Sequence, residues 1–416
     1  MSSTPAAAEA PDERIRFVLR LGRALHAYGY PSHRLESMLG EIARTLGLQV
    51  QIFSTPTSIF AAFGPQDGQR THLIRVEPGD VQIEKLAAVE RVARDVREGR
   101  VPVAAAADEI DRIAAAPPRF GGAARVLAFG LSAAAASRFL GGGGREVAHA
   151  AAIGLLIGLL SVLVRRSPLH RVFEPTAAFV AAALATVASR FAGPTSVYVV
   201  TLASILMLLP GLTLTTALTE LATRHLAAGT ARLSGAAMTF LTLGFGIAMG
   251  TQVANAWLGS ASPVQPVPLA WWTEWVALLV APVSFTMLLR GAPRDLPAIA
   301  VVGVLSFVGG RVGARVLGPE LGVFAGALVA GLASSLISRW RDAPAATTLV
   351  PAVLLIVPGS IGFRGLVFML ERHVLIGVES AFRMMLMLSA LVAGLLIANV
   401  ILPERGPRTL EEEDLS

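Results

Sequence analysis

Beyond Phe120 the chain is a succession of long apolar runs separated by short polar loops, and before Pro118 no such run occurs. Apolar spans lie near 121–140, 147–164, 172–191, 196–223, 232–258, 271–290, 296–313, 320–338, 346–370 and 379–402. Each is long enough for a hydrocarbon core of about 30 Å, which predicts about ten transmembrane helices. The N-terminal part is patterned differently. Ile15, Val18, Leu19 and Leu25 recur at helical spacing opposite arginines. Gly29-Tyr30-Pro31 ends that helix, and a second carries Leu35, Met38, Leu39 and Ile42, with Ser32 as its expected N-cap. Runs at 50–53, 58–63 and 71–76 read as strands, with turns at Gly64-Pro65 and from Gln66 to Gln69. Helical patterns return at 81–98 and 103–116. The expected fold is an all-α polytopic membrane protein with a small N-terminal soluble α+β domain.

Two of the ten spans, the fourth and the ninth, are interrupted by the same sequence. Leu208-Leu209-Pro210-Gly211 continues to Arg224-His225 and Gly229; Ile356-Val357-Pro358-Gly359 continues to Arg372-His373 and Gly377. The offset is 148 residues throughout (358 − 210, 372 − 224, 377 − 229). Either break alone reads as an ordinary proline kink; the shared flanks favour a repeat. A broken helix at corresponding positions of two halves marks the binding site of a secondary transporter. Broken backbone survives in lipid only where protein or a cavity shelters it. With five spans per half, span four runs outward to inward and span nine the reverse, so the two five-helix repeats are inverted. The predicted boundaries are 1–118 for the N-terminal domain, 119–258 and 259–403 for the repeats, and 404–416 for an acidic tail.

Composition strengthens the membrane reading. Of 416 residues, 54% are hydrophobic and only 15% charged, against about 25% charged in a soluble domain. The formal charge of +6 comes from arginines scattered among loops, so no nucleic-acid partner is expected. Arg165, Arg166, Arg171, Arg224, Arg232, Arg290, Arg294, Arg339 and Arg341 fall on the side of the N-terminal domain. Only Arg145, Arg190, Arg315 and Arg372 fall on the other. That bias predicts a multi-pass protein of the cell (inner) membrane with the N-terminal domain and C-terminus cytosolic. Trp257, Trp271, Trp272 and Trp275 then sit at the outer interface, and Gly154 and Gly158 mark a close helix–helix approach. The absence of cysteine excludes a disulfide framework and a thiol nucleophile. Met1 to Pro11 has no apolar core and does not read as a signal peptide.

The breaks suit a zwitterion. Half-helices beginning at Leu212 or Ser360 direct free N–H groups at a carboxylate, and those ending at Leu209 or Val357 offer carbonyls to an ammonium group. The candidate substrate-binding residues are Pro210, Gly211, Thr213, Thr216, Pro358, Gly359, Ser360 and Arg364. Thr215 and Thr219 are weaker candidates, and back-bonding to their own helix is the commoner fate of such threonines. Arg364, which matches Thr216 across the repeat, would clamp the carboxylate; snorkelling or pairing with Glu371 is its structural alternative. Glu220, Glu174 and Glu379 are candidate proton-coupling residues. Their structural alternatives are a Glu220–Arg224 pair, an interfacial Glu174 beside Arg171, and a Glu379–Arg383 pair. His33, Arg34 and Glu36 have no partner nucleophile and their spacing does not place them on one face, so docking is expected rather than catalysis. His225 and His373 fall at opposite membrane faces, which leaves no metal site. Lys85, the only lysine, is not in a phosphate-binding loop. No cofactor and no enzymatic activity are expected.

Gly29-Tyr30-Pro31-Ser32-His33-Arg34-Leu35-Glu36 resembles the Gly-x-Pro-x-His-Arg-x-Glu signature of the threonine/serine exporter family. Pro210-Gly211-Leu212 through Glu220, Gly229 and Arg232 resembles that family's Pro-Gly segment, with Glu220 where Asp is usual. Leu349-Val350-Pro351 through Pro358-Gly359 resembles the matching motif of its C-terminal half. The likeness runs from about Arg14 to Leu402 and rests on order and spacing. It implies a cytosolic N-terminal domain, ten spans, and export of threonine and serine driven by the proton-motive force. The partners are then an amino-acid substrate, protons and the lipid bilayer, with homo-oligomer formation left open. The alternatives are a carrier for another small organic acid or amino acid, and a membrane-anchored cytosolic hydrolase or sensor.

Overall fold

The computed structural model describes residues 11–77, 79–259, 264–341, 343–357, 359, 361, 362, 364, 365 and 374–403. The N-terminal elements are α1 (Pro11–Ala27), α2 (Ser32–Thr45), β1 (Val50–Thr55), β2 (Ser58–Phe63), β3 (Arg70–Arg75), α3 (Ile83–Arg97) and α4 (Val103–Ala115). The apolar stripes close one core around Phe17, Leu21, Leu25, Leu35, Leu39 and Ile42. Ile15 and Leu19, expected in the stripe of α1, pack at its edge. The three strands form an antiparallel sheet in the order β1-β2-β3, with Ile52 opposite Ala61 and Ile59 opposite Ile74. Alternation sends Ile59, Ala61 and Phe63 inward. Gly29 turns the chain between α1 and α2 at φ +87°, and a Cβ there would lie 2.8 Å from Val81 Cγ2. Ser32 does not cap α2 as expected: Pro31 holds that position, and the buried Ser32 Oγ has no partner among the described residues.

The remaining helices are α5 (Gly122–Phe139), α6 (Gly144–Leu163), α7 (Phe173–Phe191), α8 (Val197–Ile205), α9 (Gly211–Ala222), α10 (Leu226–Leu258), α11 (Thr273–Leu288), α12 (Leu296–Leu317), α13 (Pro319–Arg341), α14 (Ala346–Ile356) and α15 (Val374–Ile401). Among the described residues six helices (α6, α7, α10, α12, α13 and α15) are long and apolar enough to cross a membrane. The pair α8–α9, bent by 56°, makes a seventh. Of the ten expected spans, α5 carries Arg125 and Arg138, while α11 and α14 are short, with 16 and 11 residues. Large apolar side chains such as Leu155, Leu159, Leu241 and Phe245 point outward, as helices facing lipid require. Gly154 and Gly158 pack on α5, where added Cβ atoms would meet Ala133 Cβ at 2.7 Å and Val126 Cα at 2.8 Å.

Contacts between helix ends fix which ends share a side. The last turn of α5 meets the first of α11 through Arg138 and Thr273 (2.6 Å). Arg311 pairs with Glu274 at 2.6 Å and Arg383 with Glu320 at 2.8 Å on that side. The exposed Trp257, Trp271, Trp272 and Trp275 belong to the same end. On the opposite side Arg341 meets Asp295 at 3.0 Å and Arg339 donates to the Pro403 carbonyl at 2.9 Å. The N-terminal elements also lie there. The N–H groups of Ile83 and Glu84, at the start of α3, donate to the carbonyls of Leu289 and Arg290 beyond α11, at 2.9 and 3.3 Å. These bonds satisfy groups that helix ends otherwise leave unpaired. The 33 residues of α10 make a rod of about 50 Å, so it extends well past a hydrocarbon core.

Candidate functional site

The paired breaks and the joint beneath them form the candidate site. At the first break, α8 tightens into a 3₁₀ turn at Leu206–Leu208, and Gly211 N–H donates to the Leu209 carbonyl across Pro210 (2.8 Å). Proline supplies no N–H and cannot continue the helix, so the chain restarts as α9. A Cβ on Gly211 would lie 2.7 Å from Val357 Cγ1, and one on Gly359 would lie 3.9 Å from Leu209 Cβ. Residues 209 and 357, like 211 and 359, are separated by the offset of 148. The contact is therefore reciprocal: each break's glycine faces the residue before the other break's proline. The break-bearing segments also run in opposite senses. α9 ends against the N-terminal elements, whereas α14 begins in their core, with Ala346 buried there and Val350 beside it.

The hydroxyls near the first break divide. Thr215 donates to the Gly211 carbonyl and Thr219 to that of Thr215, the back-bonding alternative. Thr213 and Thr216 are half-buried and their hydroxyls make no hydrogen bond among the described residues. Gly359 is buried and Arg364 exposed; Pro358 and Ser360 lie outside the described residues, as do Glu371 and His373. Glu174 is exposed in the first turn of α7, and Glu379 is exposed on α15. The suggested Glu379–Arg383 pair does not form, because Arg383 reaches across to Glu320 on α13.

Glu220 is fully buried, nine residues beyond Gly211 and hence about 14 Å along α9. Arg232 Nε donates to both its carboxylate oxygens, at 3.1 and 3.0 Å, and Ser32 N–H donates to Oε1 at 2.9 Å. The proposed Arg224 partner is excluded by backbone: Arg224 has φ +64° and leaves the helix there. The carboxylate thus sits at the positive end of α2 and beside a guanidinium from α10, two favourable places for an anion.

Next to it, His225 Nε2 lies 3.3 Å from Glu36 Oε2, and Glu36 Oε1 accepts the Ser54 N–H at 2.7 Å. The His33 and His225 rings are 5.9 Å apart. His33 and Glu36 therefore meet the same residue, contrary to the expectation that their spacing separates them. One helical turn is enough when the target sits beside the helix start. Burial, then the neighbouring Arg34, His225 and Arg232, push the His33 pKa down to about 3. Burial raises the Glu36 carboxyl, against the pull of Ser54 N–H and His225. Among the described residues no group of three or more acidic or histidine side chains has metal-binding geometry. Sequence reasoning missed Arg232 and His225 as partners, since Arg232 lies 12 residues beyond Glu220 on another helix and His225 meets a carboxylate of the N-terminal elements, and no local pattern registers such contacts.

Comparison with known proteins gives this geometry a family. Residues 16–254 match the family model described as "Putative threonine/serine exporter", and residues 274–401 match "Threonine/Serine exporter, ThrE". Among curated proteins the chain is 28% identical over 383 residues to pheromone-regulated membrane protein 10 of Debaryomyces hansenii, covering 88% of this chain and 37% of that one. It is 27% identical over 382 residues to the protein of that name in Kluyveromyces lactis, covering 89% and 39%. For Eremothecium gossypii the identity is 26% over 360 residues, covering 84% and 48%. The chain thus spans less than half the length of these relatives. No solved structure matches it. By the extent of the family match, the chain belongs to the threonine/serine exporter family of membrane proteins.

Proposed function

We propose that this chain is a secondary active transporter that exports small hydroxylated amino acids, threonine and serine, from the cytosol by proton antiport. The observation that carries the reading is the reciprocal packing of the two Pro-Gly breaks, Gly211 on Val357 and Gly359 facing Leu209. Two inverted five-helix repeats within ten spans account for it. The segments run in opposite senses, α9 ending against the N-terminal elements and α14 beginning in their core. Inversion gives a carrier two mirror-related states about a fixed central site. In this reading Pro210, Gly211, Thr213, Thr216, Pro358, Gly359, Ser360 and Arg364 surround the substrate, and Arg364 takes its carboxylate. Glu220, Glu174 and Glu379 carry the coupling, Glu220 foremost. The N-terminal elements are cytosolic and the arginine-poor end faces outward across the cell membrane.

A tethered hydrolase or sensor is the weaker reading, because Glu36 and the backbone of Ser32 are engaged in the joint with α9 and α10. The test is efflux from proteoliposomes loaded with a panel of labelled amino acids, with and without a pH gradient. Threonine and serine should leave faster by severalfold when the gradient is imposed. Equal rates with and without the gradient would remove proton coupling, and a preference for non-hydroxylated acids would remove the substrate class.

A further inference from the structure

The joint between the N-terminal elements and the broken span contains a hydrogen-bond conflict that one proton resolves. His225 Nδ1 lies 2.9 Å from the Thr223 carbonyl, which can only accept, so Nδ1 carries a hydrogen. The Thr223 hydroxyl is 3.2 Å from the same nitrogen, but its own hydrogen is directed to the Thr219 carbonyl at 2.9 Å. A neutral imidazole with hydrogen on Nδ1 presents a bare lone pair at Nε2. That lone pair faces Glu36 Oε2 at 3.3 Å, and an ionised carboxylate is also acceptor-only. Two acceptors cannot hold this contact. A proton on either of them supplies the missing donor, and on the imidazole it makes the bond charge-assisted.

We propose that Glu36 and His225 form a proton-binding site that exists only while the N-terminal elements are docked on α9 and α10, so that docking takes up one proton. The site rests on the geometry of the joint and does not depend on which substrate is carried. The other charged and titratable groups around it come from each packed element. His33 and Arg34 belong to α2, Glu220 to α9 and Arg232 to α10, with His26 of α1 beside Arg232. Glu220 is already satisfied by Arg232 and the Ser32 N–H. Burial holds His26 and His33 below the ordinary imidazole range, so both stay neutral near pH 7. The shared proton therefore belongs to the Glu36–His225 pair, and its titration is a property of the pair. Raising the pH removes it, leaves opposed lone pairs at the joint and frees the end of α9. Through α9, that release reaches the Pro210-Gly211 break.

The chain has no cysteine, so Thr45→Cys on α2 and Thr230→Cys on α10, both exposed, admit a pair of spin labels. In the purified full chain, the docked fraction should fall as pH rises above the ordinary imidazole value of about 6.5, by up to about tenfold in the docked-to-open ratio per pH unit. Glu36→Gln supplies an amide N–H to a neutral His225, and His225→Gln supplies one to an ionised Glu36. Each variant should stay docked as pH rises and lose the pH dependence. His33→Gln should keep it. A docked fraction that does not change with pH in the wild type overturns the proposal, as does an unchanged pH profile in both Gln variants. Because the readout is a distance, it is separable from the efflux assay: transport can fail while the proton-linked joint stands, and the reverse.

Discussion

The carboxylate of Glu220 shows how strongly one buried charge depends on its neighbours. It is out of contact with water, and among the described residues Arg232 is its ion-pair partner. Removing one member of such a pair typically costs about 3–5 kcal/mol, because the other is left charged and uncompensated. Arg232→Ala should therefore lower the thermal stability of the purified protein by that order, while Glu220→Gln, which leaves the partly exposed Arg232 access to solvent, should cost less. The double variant should be more stable than Arg232→Ala alone. Equal losses for the two single variants in a thermal melt would mean that the pair contributes through packing rather than charge. The sequence marks Glu220 as an ionisable residue in an apolar span and Arg232 as an arginine of the loops on the side of the N-terminal domain. Their pairing was not visible there, because i, i+4 spacing pointed to Arg224, and only the positive φ at Arg224 removes that candidate.

Among the helices, the break pair makes an asymmetric prediction from a nearly symmetric contact. A methyl at Gly211 would collide with Val357 Cγ1 at 2.7 Å, whereas one at Gly359 would rest at ordinary contact distance, 3.9 Å, from Leu209. Gly211→Ala should reduce efflux severalfold and Gly359→Ala only slightly. Val357→Ala should restore much of the loss by clearing the Cγ atoms. Comparable defects in Gly211→Ala and Gly359→Ala, or no rescue, would show that the breaks do not pack on one another during transport. The existence of both breaks was legible from Pro-Gly alone, since proline ends the hydrogen-bond ladder wherever it falls. The cost of bare backbone in lipid requires that each break be sheltered; that each glycine faces the residue before the other break's proline is visible only in the tertiary structure.

For the molecule as a whole, orientation is the property to test. Single cysteines at Thr45 and Gln265, each exposed, report opposite ends of the helices in a chain with no native thiol. In intact cells a membrane-impermeant maleimide should label Gln265→Cys and leave Thr45→Cys unlabelled until the membrane is opened. The reverse pattern would place the arginine-rich side outside. The membrane character was readable from run length and composition because each helix satisfies its backbone locally. Span number was less so: α5 carries two arginines and α11 and α14 are short, so among the described residues length alone admits six or seven crossings.

By itself the sequence determined what depends on near neighbours. It set the periodic stripes of α1 and α2, the alternation that turns Ile59 and Phe63 inward, the apolar length of the long helices, and the two points where the ladder must break. These are local steric and solvation effects, complete within a few residues. Tertiary structure alone decided what depends on distant neighbours. It set the N-terminal helix α2 on the end of the broken span, with Ser32 N–H on Glu220, Arg232 in place of Arg224, and Glu36 against His225. Those contacts form because buried polar groups must find partners wherever the packed helices bring them, and chain separation carries no trace of that.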